Sequence, residues 1–216
     1  MDSILDNESV RSLRVSLGEM LAEEFNPSNV DFVTYLPRCP ETAARSYAAK
    51  TGIDFIEVFY KIRGERAFQG STENEREISI RNNLHLNPGI EEVIGGKNLI
   101  LIDDSTIRGN NAKTAIRLLK EKTKVNKIYL ANYTPPIGVI GADGIPRGCL
   151  FGVDMSPSDN FIIRKGSLEE ISEKLGAQIF YLSIEGMLKA FERVGIQRNS
   201  LCTYCIGGKH PAVRDY

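Results

Sequence analysis

The run Leu99-Ile100-Leu101-Ile102 is continuously apolar and stops abruptly at two adjacent carboxylates, Asp103 and Asp104. A strand that is apolar on both faces must be covered on both faces, which is the condition of a central parallel strand. Parallel neighbours are joined by helical crossovers, so this one run already predicts a layered α/β fold. The residues that follow agree. A polar turn from Ser105 to Asn110 leads into Asn111 to Lys122, where Ala112, Ala115, Ile116 and Leu119 recur at helical spacing, and Ile128-Tyr129-Leu130-Ala131 returns as a strand. Strand, turn, helix and strand in this order form a nucleotide-type α/β arrangement with the turn at the carboxyl edge of the sheet.

The flanking segments extend the pattern. Val10, Leu13, Leu17, Met20, Leu21 and Phe25 predict an amphipathic helix over 9–25 with Asn7 or Ser9 as its cap. Asp31 to Leu36 reads as a strand, Pro40 to Thr51 as a helix stopped by Gly52, and Phe55 to Phe59 as a second strand, together a βαβ unit. Lys61 to Glu77 is polar and aperiodic, which predicts a long surface loop or lid, followed by a short helix around Ser79 to Leu86. Proline and glycine from Pro135 to Gly148 predict a loop before a short strand at Cys149 to Val153. Ser167 and Glu170 form a capping box for a helix ending at Leu175 and Gly176, and Ser183 to Val194 predicts a last helix stopped by Gly195. The expected organisation is one domain over residues 1–216 with an appendage from about Gly195.

Composition narrows the function. With 42% hydrophobic and 25% charged residues, disorder, collagen and coiled coil are excluded. Lys and Arg total 27 against 28 Asp and Glu, a formal net charge of -1, so there is no general field for nucleic acid, and any phosphate must be held locally. No apolar run approaches the roughly 18–20 residues of a membrane span. A soluble, cytoplasmic protein with no membrane partner is expected. Four cysteines, Cys39, Cys149, Cys202 and Cys205, are too few for a disulfide scaffold at this length.

The acidic pair and its turn have a chemical use. Turn and helix N-terminal N–H groups supply donors and a positive dipole end that suit a phosphate monoester, and Gly109 lets the chain approach the oxygens closely. Asp103 and Asp104 at the strand end suit ribose hydroxyls, held directly or through a divalent cation. The plainer alternative is a solvated turn whose Asp residues serve only as caps. Asp103 to Asn111 resembles the phosphoribosyl-pyrophosphate (PRPP) motif of type I phosphoribosyltransferases, and specifically that of the amidophosphoribosyltransferase family of purine biosynthesis, approximately V-D-D-S-I-V-R-G-T-T. Further ordered blocks resemble that family too: Asp2 to Asp6 with Ser9-Val10, Arg66 to Arg81 with Leu84, Thr134 to Ile137, Cys149 to Met155, Tyr181 to Gly186, and Cys202 with Cys205.

The resemblance implies a type I phosphoribosyltransferase fold, a mostly parallel sheet flanked by helices with a small hood. It implies a transferase that makes 5-phosphoribosylamine from Mg²⁺-PRPP and ammonia. Asp103 and Asp104 would bind the ribose hydroxyls and carry the Mg²⁺ contact, and Ser105, Thr106, Ile107, Arg108, Gly109, Asn110 and Asn111 the 5′-phosphate. Glu41 and Thr42 would lie in the pyrophosphate loop, and Lys61, Arg63 and Arg66 of the lid would neutralise the leaving group. Only the phosphoribosyltransferase half of the family is represented, and no cysteine precedes Cys39 to resemble the glutaminase nucleophile. Ammonia would therefore be free or come from a separate glutaminase subunit, and a homo-oligomer is the family's habit.

Three departures lie in the pyrophosphate region and the turn. Pro40-Glu41-Thr42 runs straight into Ala43-Ala44, about three residues shorter than the family loop. Asn110 and Asn111 replace two threonines, and the lid is one residue shorter, with Glu65 adding negative charge. They admit two alternatives: a transferase or hydrolase with a different nucleophile or leaving group, and a phosphoribosyl-ligand sensor without turnover. Cys149, Cys202 and Cys205 resemble three of the four ligands of the family's iron–sulfur branch, which implies a [4Fe–4S] cluster completed by another ligand or a zinc site, against the alternative of inherited thiols. His85, His210, Tyr47 and Tyr181 read as surface or packing residues.

Overall fold

The computed structural model describes residues 3–5, 7–37, 39–61, 84–152 and 155–208, with no side-chain description for Leu5 and Lys61. A small antiparallel hairpin, β1 (Ile4–Leu5) and β2 (Glu8–Ser9), precedes α1 (Val10–Glu24), whose first turn is capped by the Ser9 hydroxyl accepting from the Ser12 N–H. Then come β3 (Phe32–Tyr35), α2 (Glu41–Thr51) and β4 (Asp54–Phe55). β5 (Phe59–Lys61) and β6 (Leu84–Leu86) form a separate antiparallel pair, followed by α3 (Ile90–Ile94). The remaining elements are β7 (Asn98–Asp103), α4 (Asn110–Lys122), β8 (Lys127–Asn132), α5 (Leu168–Leu175), β9 (Gln178–Tyr181) and α6 (Ile184–Arg193).

Among the described residues the central sheet has five strands in the order β4-β3-β7-β8-β9, all parallel. β7 lies in the middle, and Leu99, Ile100, Leu101 and Ile102 are each fully buried. Alternation sends Leu99 and Leu101 to one face, against α3, α4 and α5, and Ile100 and Ile102 to the other, against α1, α2 and α6. Each such side chain contributes about 1.5–3 kcal/mol through burial, so the predicted two-sided strand is also the main stabilising element.

Several expectations are corrected. The run Phe55 to Phe59 is not one strand: Phe55 pairs with β3, whereas Phe59 starts the separate β5–β6 pair. The helix expected to reach Leu86 gives way to strand at Leu84–Leu86, which pairs with β5, and its earlier residues lie outside those described. The strand expected from Cys149 is absent over Cys149 to Gly152, where the chain bends. Ser167 caps α5 through the full reciprocal box with Glu170, and Gly176 ends it with φ 73°. After Gly195 the chain runs through two 3₁₀ turns, Arg198–Ser200 and Tyr204–Ile206, and is tied back by the Gly138 N–H donating to the Cys205 carbonyl at 2.8 Å. No helix among the described residues is long and apolar enough to cross a membrane.

Candidate functional site

From β3 the chain crosses through α2 to β4 on one side, and from β7 through α4 to β8 on the other. β3 and β7 therefore flank the point where strand order reverses, and in open parallel sheets the crevice outside the carboxyl ends of such strands receives ligands. Asp103, the last residue of β7, and Asp104 stand at that edge.

The acidic pair organises its own turn. The Asp104 N–H donates to Asp103 Oδ1 at 2.9 Å and the Ser105 N–H to Asp104 Oδ1 at 2.8 Å. The main chain is fixed from the next strand, with the Tyr133 N–H donating to the Asp103 carbonyl at 3.1 Å and the Thr134 hydroxyl to the Asp104 carbonyl at 2.7 Å. Deeper in the loop, the buried Thr106 hydroxyl donates to Asn132 Oδ1 at 2.7 Å, Asn132 Nδ2 donates to the Phe180 carbonyl at 3.1 Å, and the Tyr181 hydroxyl reaches the Thr106 carbonyl at 3.4 Å. Ile107 accepts from the Ile162 N–H at 2.7 Å, and Arg108 pairs with Asp159 at 3.1 Å. The ends of β8 and β9 thus hold the loop from below and the 156–162 segment holds its outer side.

Gly109 opens α4 with φ 85°, and among the described residues no side chain caps that helix. The helix N-terminus therefore presents main-chain donors and its positive dipole end at the site edge. A Cβ on Gly109 would lie 2.6 Å from Ile162 Cδ1. Gly109→Ala is expected to cost about 1–3 kcal/mol through the left-handed backbone and that contact, read as a lower denaturant midpoint; an unchanged midpoint would mean that the turn relaxes freely.

Charge at the edge is set by burial. Asp103 is 7% exposed; burial, then the neighbouring Asp104 charge, push its carboxyl well above the ordinary 3.8, against the pull of the Asp104 N–H. Burial and the nearby acids also push Tyr181 and Tyr133 upward, with Arg14 opposing the shift at Tyr133 through a hydrogen bond. At the β3 side, burial followed by the charges of Glu41 and Glu57 pushes Tyr35 up to about 12. A carboxyl whose folded value is raised contributes stability that is complete below its unfolded value and is lost as pH rises through the folded one. Asp103→Asn is therefore expected to unfold about 2–4 °C above the parent protein in mildly alkaline buffer, the shift for about 1 kcal/mol at this size. The difference should shrink as the buffer is acidified toward the ordinary carboxyl value, and melting curves that coincide at every pH would contradict the buried-charge account.

The other expected residues distribute as follows. Ser105, Thr106, Ile107, Arg108, Gly109, Asn110 and Asn111 form the loop and first turn just described. Glu41 and Thr42 start α2 at the β3 edge, but with Arg11, Arg45 and Lys50 they line a groove of about 770 Å³ between α1 and α2 whose lining includes none of residues 103–111; Glu41 is also engaged by Arg45 Nε at 3.0 Å. Lys61 ends β5, with its side chain not described, and Arg63 and Arg66 lie outside the described residues. Burial, and then the nearby Cys202 and Cys149, raise the Cys205 thiol. Among the described residues no group of three or more His, Cys, Asp or Glu is arranged to hold a metal, so the iron–sulfur or zinc site expected on Cys149, Cys202 and Cys205 is not supported. Reading the sequence missed Asn132, Tyr133 and Asp159 and took Tyr181 for packing. The one local signal was a polar Asn closing the apolar β8 run.

A parallel sheet with its switch point at an acidic pair, followed by a glycine turn that opens a helix, fits the type I phosphoribosyltransferase fold. Over 97% of its length the chain matches the B. subtilis glutamine phosphoribosylpyrophosphate amidotransferase structure complexed with ADP and GMP, with a TM-score of 0.77 and 32% identity, covering 44% of that chain. In sequence it is 33% identical over 212 residues to the amidophosphoribosyltransferase of Methanocaldococcus jannaschii and 32% identical over 212 residues to that of Archaeoglobus fulgidus, covering 41% and 43% of them. The chain is homologous to the amidophosphoribosyltransferases over the segment that carries this fold, and it spans about two fifths of the length of these relatives. No protein-family profile matches it.

Proposed function

We propose that this chain is a phosphoribosyltransferase that takes PRPP and transfers the phosphoribosyl group to ammonia, giving 5-phosphoribosylamine and pyrophosphate. The observation that carries the reading is the acidic pair at the β3–β7 switch point, continuous with a loop whose N–H groups and helix start suit a 5′-phosphate. In this reading Asp103 and Asp104 accept hydrogen bonds from the ribose hydroxyls and Ser105 to Asn111 receive the phosphate. Lys61, Arg63 and Arg66 remain the proposed leaving-group cations, with Glu41 and Thr42 at the pyrophosphate side. The C1–O bond to pyrophosphate breaks as the ammonia nitrogen bonds to C1, and the nitrogen then sheds a proton. Carboxylates beneath the ribose favour the positive charge that develops on the sugar.

The pair offers two carboxylates, which would hold Mg²⁺ with the rest of its shell completed by substrate oxygens and water. When bound, Mg²⁺ supplies charge neutralisation to the pyrophosphate oxygens, with Asp103 and Asp104 as its protein contacts. The ammonia would be free or delivered by a separate glutaminase, and we place the reaction in cytoplasmic purine biosynthesis, with a homo-oligomer as the working assembly. The tail from Gly195 belongs in this reading to the same single domain. A second reading, a transferase or hydrolase with another nucleophile or leaving group, is favoured by the short connection from Tyr35 to the start of α2 at Glu41, where a pyrophosphate loop would lie.

The test is incubation of the pure protein with Mg²⁺ and PRPP, with and without ammonium, following pyrophosphate and the sugar product by mass. Ammonium-dependent release is expected. Release that is indifferent to ammonium selects the second reading, and PRPP binding without release selects a sensor.

A further inference from the structure

The described residues from Thr134 to Gly152 and from Met155 to Lys165 take no part in the roles proposed above, yet one side chain draws them together. The Arg164 guanidinium donates to the carbonyls of Gly138 at 2.5 Å, Pro157 at 2.8 Å and Asp159 at 3.3 Å, and also to that of Arg147. Its Cζ lies 4.6 Å from the centroid of the Phe161 ring. Arginine suits this position because its planar fork carries five donors and keeps its charge at any working pH. Chain segments that share no strand or helix are thereby fixed to one another.

That body meets the phosphate loop at two points. Asp159 Oδ2 accepts from Arg108 Nη2 at 3.1 Å, with only 24% and 26% of the two side chains exposed, and the same oxygen accepts the Ser156 N–H at 2.9 Å. Close by, the Ile162 N–H donates to the Ile107 carbonyl at 2.7 Å. Asp159 is therefore oriented from its own side before it meets Arg108, and Arg164 holds the Asp159 main chain. Main-chain donors bind an anion well only when the loop is already in its receiving conformation, since otherwise binding must also order it.

We propose that Asp159 and Arg164 are positioning residues of the 105–111 loop, with Arg164 fixing the main chain at Gly138, Arg147, Pro157 and Asp159 and Asp159 transmitting that fixation through Arg108. The inference rests on reading 105–111 as the 5′-phosphate cradle, and its test separates the two. The variants are Asp159→Asn, Asp159→Glu, Arg164→Met and Arg164→Lys in the full chain. Amide hydrogen exchange of residues 105–112 is measured without ligand, with β7 and β8 as internal reference, and PRPP turnover is measured beside it.

Expected for Asp159→Asn and Arg164→Met is about tenfold faster exchange in 105–112 with unchanged β7 and β8, the effect at the loop of losing its one charge-assisted contact with Asp159, directly in the first variant and through a released Asp159 in the second. The KM for PRPP should rise by about the same factor while kcat stays within about twofold. Asp159→Glu and Arg164→Lys should recover part of both. A general loss of folded protein would lower kcat and leave KM, so the split identifies positioning. Unchanged loop exchange overturns the proposal even where PRPP is turned over. Faster loop exchange in a protein that binds neither PRPP nor ribose 5-phosphate leaves the positioning intact and overturns the functional reading.

Discussion

Replacing both Asp103 and Asp104 by Asn is expected to lower kcat/KM for PRPP by about 10²–10⁴-fold while the protein stays folded. A carboxylate accepting from a sugar hydroxyl makes a charge-assisted hydrogen bond of about 1.5–3 kcal/mol, and two such losses give about 3–6 kcal/mol, or two to four decades in rate. The double variant also removes the negative potential beneath a sugar that becomes positive as pyrophosphate departs. The fold survives because the contacts that shape the turn remain available: each Asn keeps an Oδ1 to accept the N–H that now goes to Asp103 or Asp104. Removing a buried carboxyl held above its ordinary value also relieves the neutral-pH penalty at Asp103. Loss of turnover with a preserved or raised melting temperature is thus the combined signature, read by pyrophosphate release and thermal melts on the same samples. Turnover within about threefold of the parent would place the ribose elsewhere and remove the acidic pair from the chemistry.

The contrast between that pair and its supports shows what the sequence makes legible. Asp103 and Asp104 stand out because an apolar strand, an acidic step, a glycine turn and a helix follow one another within a dozen residues, and each is a local choice of backbone. The caps were legible for the same reason: Ser9, the Ser167–Glu170 box, and the left-handed Gly52 and Gly176 all act within one turn of their own helices. β9 was not legible. It is four residues between two helices, only Ile179 of it is fully buried, and its identity as a strand comes from pairing with β8. The break between β4 and β5 was hidden likewise, since Phe55 to Phe59 has strand composition throughout and only the partners differ. Site supports are the extreme case. Thr106 meets Asn132 across 26 residues, Arg108 meets Asp159 across 51 and Tyr181 meets Thr106 across 75, and no periodicity encodes such pairs. The cysteines were the least legible feature, because the spacing at Cys202 and Cys205 left a metal site and inherited thiols both open, and among the described residues no group of three or more ligands supports the metal.

Phe161 offers the second large effect, and it distinguishes a core residue from a residue that holds the site's outer wall. Its side chain is fully buried, yet it belongs to neither of the two clusters that cover the sheet faces. It packs within its own 134–165 stretch, with Gly138 approaching so closely that a Cβ there would meet the ring at 2.1 Å and with Arg164 over its face. Phe161→Ala is expected to cost about 3–5 kcal/mol, from lost burial and from a cavity that the surrounding loop fills incompletely. In either face core that cost would be drawn from the whole fold, which for a domain of this kind is stable by about 5–15 kcal/mol. Here the weakened unit is a loop clamped by polar bonds, so the cost is expected as local opening. Amide exchange of Asp159 to Arg164 and of Ile107 to Gly109 should accelerate by about 10²–10³-fold, at one decade per 1.4 kcal/mol, while the amides of β7 and β8 keep their protection. PRPP affinity should fall with the loop, because Ile107 loses the Ile162 N–H that fixes it. Equal acceleration in the central strands would show instead that Phe161 is part of one cooperative core, and that the loop and the sheet open together.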